Sequence, residues 1–412
     1  MGSFCQEHAN IELIFQFPTN IIERTVKSLG LADSKTKNVV IIKNHYPTEN
    51  DPRVTKLLKI LQGEGYQVTY IGWDISASSY FSYKRRINNE GYEEIIMNGK
   101  LLLGYPFFSF PLWWIFSFFC LLELNWSIVH VVNFPSIFPA ILAAKLKKKK
   151  VIYDIEDTYI DQLPNKQLHL REFGLSIDRL SMKFVNAVVL VDEMQIEEFH
   201  GIPNDKVVVI YDTPFPILTP SKKSFEWSGF KIFYAGRIGK GRHLNLDSMI
   251  KAVGSIKDVK LILAGTGDRD LITEINSAAS AMPDKIIYLG WVPYDKVLEL
   301  SLEVDLLFSL RDPNPPNQKY ICGSKFLEAM MFGKPILVNK GTSTAIKTTE
   351  NNCGIVVDAH DIKGIACAIL ELKNNQSLCR KFGLNGRAAY EKKYSWDLMR
   401  KRLLDLYNIT IK

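Results

Sequence analysis

Two stretches carry residue types suited to an anionic, hydroxyl-rich ligand. In KIFYAGRIGKGRH (231–243), Arg237, Lys240 and Arg242 follow an apolar run, with Gly236, Gly239 and Gly241 among them. Glycines let a backbone approach a ligand closely, and clustered cations suit a pyrophosphate. An ATP-hydrolysing loop is excluded, because Arg242 and His243 stand where that loop needs Lys followed by Ser or Thr. In GSKFLEAMMFGKPIL (323–337), Glu328 lies inside an otherwise apolar run. A buried unpaired charge is costly, so something must meet this carboxylate. One reading makes it the acceptor for the paired hydroxyls of a ribose. The plainer reading pairs it with Lys325 on a helix surface, worth about 0.2–0.5 kcal/mol. Apolar neighbours on both sides point to burial and so to the first reading.

The same stretch marks its own boundaries. Ser324 reads as a helix N-cap, Gly333 as its end, and Pro335 bars continuation. The unpaired N–H groups of Gly323, Ser324 and Lys325 then favour an anion at the helix start. Two further turns follow apolar runs. LILAGTG presents Gly265 and Gly267, and YLGWVP presents Trp291 and Val292, which suit a flat ring. No metal and no tightly held cofactor is expected. The six cysteines form no C-x-x-C pair, which fits a reducing compartment.

These residues need elements to hold them. NVVIIK (38–43) is a buried parallel-type strand, RVTKLLKILQGEG a helix ended by glycines, and QVTYI the next strand. The alternation continues through WSIVHVV, KVIYDI, AVVLV and KVVVIY. It pauses at the Pro-rich YDTPFPILTPSKKS (211–224), and resumes from KIFYAG to PILVN, with a helix expected over 324–332. A chain of 412 residues, 47% hydrophobic, suits two domains. The expected class is α/β: two Rossmann-like, doubly wound parallel sheets facing a cleft, with ligands beyond the carboxyl ends of the strands. The expected organisation is an N-terminal extension (1–37) without a signal-peptide layout, a first domain (38–215), a second (216–393), and a C-terminal helix (394–412) packing back on the first. A net charge of +7 permits an anionic partner, but no nucleic-acid motif accompanies it.

One segment, 101–124, does not fit this alternation. LLLGYPFFSFPLWWIFSFFCLL carries no charge and is long enough to span a bilayer. Pro106 and Pro111 interrupt it, and the following WSIVHVV must share a sheet with NVVIIK. Its aromatic load, with YKRR (83–86) and KLKKKK (145–150) nearby, favours peripheral contact with an anionic membrane over burial in the core.

Taken together, YAGRIGKGRHL, LILAGTG, YLGWVPYDKVLEL, GSKFLEAMMFGKPILV and ENNCGIVVDAHD resemble, in order and spacing, the retaining glycosyltransferases of family 4, which have the GT-B fold. HYPTENDPRVTKLLKILQGEGYQVTYIG, WSIVHVVNFPSIFPAILAAKL and KVIYDIEDTY resemble that family's amino half. The resemblance implies a nucleotide-diphosphate sugar as donor and a glycan or lipid-linked acceptor, at the inner face of the cell membrane. It implies catalytic roles for Arg237, Arg242 and Glu156. Donor contacts would come from Glu328, Lys325, Ser324, Gly323, Lys240, Gly236, Gly265, Trp291 and Val292, and the acceptor side from Arg53 and Asp157. Two departures stand out. Tyr320 occupies the first position of the family's E-x7-E pair, and Glu156 stands where a histidine is frequent. Those departures favour the alternative of a non-catalytic, glycosyltransferase-like subunit that binds a membrane or partner.

Overall fold

The computed structural model describes residues 37–48, 51–76, 81–100, 106–158, 168–202, 204–215, 229–239, 245–311 and 319–411. Lys240, Arg242 and nearly all of the 1–37 extension lie outside these residues, as does the linker from 216 onward. The chain forms two compact units. One comprises the chain up to Leu190, Phe199–Val209 and Arg402 onward; the other comprises Val191–Glu198 and Ile210–Lys401.

In the first unit, β1 (Asn38–Ile42), α1 (Pro52–Gly63) and β2 (Gln67–Asp74) make the expected βαβ unit. Asp51 caps α1 by accepting the Val54 N–H at 3.1 Å, and Pro52 opens the helix where no N–H is needed. There follow β3 (Ser82–Ile87), β4 (Glu93–Asn98), α2 (Pro106–Glu123), β5 (Ile128–Val132), α3 (Ile137–Lys147) and β6 (Lys150–Ile155). The unit continues through α4 (Leu168–Lys183), β7 (Ala187–Leu190) and β8 (Val207–Val209). The strand order is β3-β4-β2-β1-β5-β6-β7-β8, and all neighbours are parallel except the β3–β4 pair. All residues of β5 and β7 are buried, as parallel strands covered on both faces require.

Helix α2 takes up the charge-free segment from Pro106 on and ends at Glu123, and about half of its described side chains are buried. Trp113 and Phe116 are fully buried; Trp113 stacks on Trp73 at 5.9 Å, and its Nε1–H donates to Ser136 Oγ at 3.1 Å. Trp114 donates to the Pro135 carbonyl at 2.7 Å. Lys147, from the lysine run, closes the helix by donating to the carbonyls of Leu122 and Leu124 at 2.8 and 2.5 Å. In the other basic run, Arg85 pairs with Glu93 and Glu123, and Arg86 with Glu94. The aromatic load is thus divided: Phe110, Trp113 and Phe116 are buried, whereas Phe108 is about half exposed and Trp114, Phe118 and Phe119 are partly exposed. No helix among the described residues is long and apolar enough to cross a membrane.

The second unit contains β9 (Phe230–Ala235), α5 (Leu246–Gly254), β10 (Val259–Ala264), α6 (Arg269–Ala281), β11 (Ile286–Tyr288), α7 (Tyr294–Glu303) and β12 (Leu306–Ser309). It then forms α8 (Ser324–Phe332), β13 (Ile336–Asn339), α9 (Ser343–Glu350), β14 (Gly354–Val357), α10 (Ile362–Asn374) and α11 (Gln376–Ala389). Its six strands are all parallel, in the order β11-β10-β9-β12-β13-β14. A final helix, α12 (Trp396–Ile411), passes from the second unit to the first at Arg402. Within the first unit its Tyr407 hydroxyl meets His130 Nδ1 of β5 at 2.8 Å. Val191–Glu198 belongs to the second unit through a buried cluster. Lys347 Nζ of α9 meets Asp192 Oδ1 at 2.9 Å and Ser343 Oγ at 2.8 Å, and Ser343 donates to Asp192 Oδ2 at 2.5 Å.

Candidate functional site

Strand order reverses beside β1 in the first sheet and beside β9 in the second, and ligands of such sheets gather beyond the strand ends there. In the second unit the loops after β9, β10 and β11 form one backbone platform. Ile238 N–H donates to the Thr266 carbonyl at 3.0 Å, Asp268 N–H to the Ile238 carbonyl at 2.8 Å, and Gly265 N–H to the Gly290 carbonyl at 2.7 Å. Gly265, at φ +129°, faces the Gly236 carbonyl, and Gly267 faces that of Ile238, so closely that neither has room for a Cβ. These two glycines are thus required by loop meeting loop. The platform carries Arg237, which is exposed and makes no hydrogen bond or ion pair among the described residues. It also carries Trp291, 70% exposed, next to the half-buried Val292.

Helix α8 follows β12, the strand paired with β9. Its N-cap is Gly323, with extended backbone; Ser324 is the first helical residue and not the cap expected from its type. Gly333 ends the helix at φ +61°. A Cβ on Gly323 would lie 3.0 Å from Arg311 Nη2, so the Arg311 guanidinium covers the helix start. The sequence reading missed Arg311, although a cation directly after a strand was the same signal that drew attention to Arg237. Glu328 is 1% exposed, and Lys325 Nζ lies 2.8 Å from both of its carboxylate oxygens. The Tyr294 hydroxyl is 3.5 Å from Oε1, and burial together with the Glu328 charge pushes that phenol's pKa up. Glu328 is therefore buried, as its apolar neighbours imply, and Lys325 meets it, but not on a helix surface as the plainer reading had it. The Lys325 charge is not free in this state. Tyr320, partly exposed, stands before this helix with Lys319 over its ring at 4.9 Å.

In the first unit a polar cluster sits at the carboxyl ends of β1, β5 and β6. Arg53 holds Asp154 bidentately, Nε to Oδ2 at 2.9 Å and Nη2 to Oδ1 at 2.8 Å. His130 Nε2 adds a contact to Asp154 Oδ2 at 3.1 Å. Burial works against ionised Asp154, yet Arg53 and His130 bring its pKa down to about 2. Lys43 Nζ binds Asp51 and, at 2.5 Å, Glu156 Oε2; these partners outweigh burial and keep the ammonium charged. Burial pushes the Glu156 pKa up to about 7, with Lys43 opposing the rise and Asp51 adding to it. Arg53 and Glu156 are thus brought together, and the partly exposed Asp157 follows directly. Lys43, Asn133, His130 and Asp154 were missed as functional candidates. Their contacts join positions far apart in the chain, so no local motif carries them.

Among the described residues no group of three or more His, Cys, Asp or Glu side chains could hold a metal ion. The second-unit platform can seat a flat ring and an anion. The first-unit cluster offers a carboxylate in place of a free cation.

Known proteins share both the sequence pattern and the architecture. The family described as Glycosyl transferases group 1 matches residues 221–389, and that described as Glycosyltransferase Family 4 matches residues 53–212. The capsular polysaccharide biosynthesis glycosyltransferase CapM of Staphylococcus aureus is 29% identical over 44% of this chain and 47% of its own length. The GDP-mannose-dependent monoacylated alpha-(1-6)-phosphatidylinositol monomannoside mannosyltransferase of Corynebacterium glutamicum is 25% identical over 39% of this chain and 42% of its own. The chain thus spans about half the length of these curated relatives. Sucrose-phosphate synthase from Thermosynechococcus elongatus superposes with a TM-score of 0.69 over 90% of this chain and 98% of that one, at 12% identity. The two parallel-sheet units are those of the GT-B fold, as the sequence led one to expect. With both family matches falling on these units, the chain belongs to the group 1 glycosyltransferases.

Proposed function

We propose that the protein transfers a sugar from a nucleotide-diphosphate sugar to a glycan or lipid-linked acceptor, with retention at the anomeric carbon. The observation that carries this reading is the pairing of Arg237 after β9, exposed and unengaged among the described residues, with a buried Glu328 in the helix after the neighbouring β12. The diphosphate lies against Arg237, Arg242, Lys240 and the start of α8; the ribose hydroxyls donate to Glu328; the base stacks on Trp291. Lys325 can leave Glu328 for the diphosphate when ribose hydroxyls take its place. The bond from the anomeric carbon to the diphosphate oxygen breaks with its electron pair moving to the diphosphate. Cations already placed there stabilise that charge more in the transition state than before it. The acceptor oxygen forms the new bond to carbon, and its proton passes to the Glu156 carboxylate in the first unit. Metal is not required in this scheme, so EDTA should leave turnover unchanged.

A lipid-linked acceptor agrees with the outer surface of the first unit, and with peripheral contact at the inner face of the membrane. Phe108 and Ile115 of α2, Leu142 and Leu146 of α3, and Leu180 of α4 are each about half exposed, and Lys145 and Lys148 on and just after α3 are exposed as well. The donor is found by thermal shift with UDP-glucose, UDP-N-acetylglucosamine and GDP-mannose, since a bound donor raises the melting temperature by mass action. A melting temperature unmoved by every nucleotide sugar, together with no release of nucleoside diphosphate, would sink the reading in favour of a binding subunit.

A further inference from the structure

We propose that Asn133 is a positioning residue that clamps Glu156 so that one carboxylate oxygen, Oε1, is offered to the acceptor hydroxyl. The inference rests on reading Glu156 as the acceptor-side carboxylate. Asn133 directly follows β5 and has φ +64° and ψ 163°. That conformation is essentially restricted to glycine, and another residue held there costs about 1–3 kcal/mol. Three hydrogen bonds hold it there. Its backbone N–H donates to the Asp154 carbonyl at 2.8 Å, its Oδ1 accepts the Glu156 N–H at 3.0 Å, and its Nδ2 donates to Glu156 Oε2 at 3.1 Å.

The side chain therefore grips both the backbone and one oxygen of Glu156. Lys43 Nζ takes that same oxygen. The nearest cationic atom to Oε1 is Arg53 Nε at 4.0 Å, and that nitrogen already donates to Asp154. Asn133 and Lys43 are 7% and 8% exposed, whereas the Glu156 side chain is 20% exposed. Among the described residues, one oxygen of the carboxylate is engaged by two fixed donors and the other accepts no hydrogen bond, leaving it for a hydroxyl. The charged groups around it are Lys43, Asp51, Arg53 and Asp154, with His130 behind Asp154.

Asn133→Gly separates this role from a structural one, because glycine adopts the same backbone without strain. The expected outcome is a melting temperature equal to or above that of the parent. Nucleoside diphosphate release should fall about tenfold or more, as a misplaced reacting group does. A titration of 13C-labelled glutamate, with Glu156 assigned by its loss in Glu156→Gln, reads the clamp without any ligand. Loss of the Nδ2 donor should move the Glu156 midpoint upward in Asn133→Gly. Asn133→Asp, which sets a second carboxylate against Oε2, should move it further. A parental Glu156 midpoint in both variants would overturn the clamp. Shifted midpoints with full turnover in Asn133→Gly would overturn its role in positioning. Full turnover in Glu156→Gln would instead overturn the acceptor-side reading of Glu156 and leave the clamp standing.

Discussion

The two polar clusters occupy equivalent places, each beyond the carboxyl ends of a parallel sheet where strand order reverses, yet their charges are arranged in opposite ways. In the first cluster the two cations Lys43 and Arg53 are internally neutralised, Lys43 by Asp51 and Glu156 and Arg53 by Asp154. In the second, Arg237 is exposed and unengaged among the described residues, on a platform built from backbone. A site with an unpaired cation awaits an anion from its ligand. A site whose cations are occupied presents a carboxylate and suits a neutral hydroxyl donor. The difference supports the proposal that the charged donor is held by the second unit and the hydroxyl-bearing acceptor by the first.

That contrast can be broken at several points. The largest effect is expected at Arg237→Ala, where turnover should fall by about 100-fold or more. The melting temperature should stay the same, because no partner among the described residues is lost; unchanged release of nucleoside diphosphate would remove Arg237 from the reaction. Arg53→Ala should do the reverse. It strands the buried Asp154 charge and should cost about 3–5 kcal/mol of stability, read by chemical denaturation. A variant as stable as the parent would show that the first cluster is not locked as described.

Glu328→Gln removes a charged acceptor and should weaken donor binding about tenfold or more, a loss of charge-assisted hydrogen bonds. Calorimetry giving the parental affinity would end the ribose assignment. The smallest expected effect is on pH dependence. Turnover that needs ionised Glu156 should rise as pH passes through about 7 and fall below it, because burial holds that carboxyl's pKa near there. Donor affinity, set in the other unit, should not follow this titration. A single titration governing both affinity and turnover would mean the two clusters are not separate in role.

The alternation of apolar runs with helical spacing located the strands, and the 324–332 helix was legible to the residue because Gly333 and Pro335 punctuate it. The apolar segment was legible as a helix and illegible as to its partner. The ring that stacks on Trp113 comes from Trp73, and the lysine that closes the helix, Lys147, belongs to the run read as cations for an anionic membrane. Glu328 shows the same division within one turn of helix. Its neighbours announced burial, but only the rotamers of Lys325 and Tyr294 reveal what meets it.

Residue type and spacing alone thus determined the two parallel-sheet units, the family, and the candidates Arg237, Glu328 and Glu156, because periodicity and turn chemistry are local properties of the chain. The tertiary structure decided which charges are free and which are occupied. Asp154 is reached by Arg53 from a hundred residues away, and Asn133 is forced through a strained backbone to grip Glu156. Charge state and carboxylate orientation are set by distance and burial, and folding brings together groups whose separation along the chain says nothing of their separation in space.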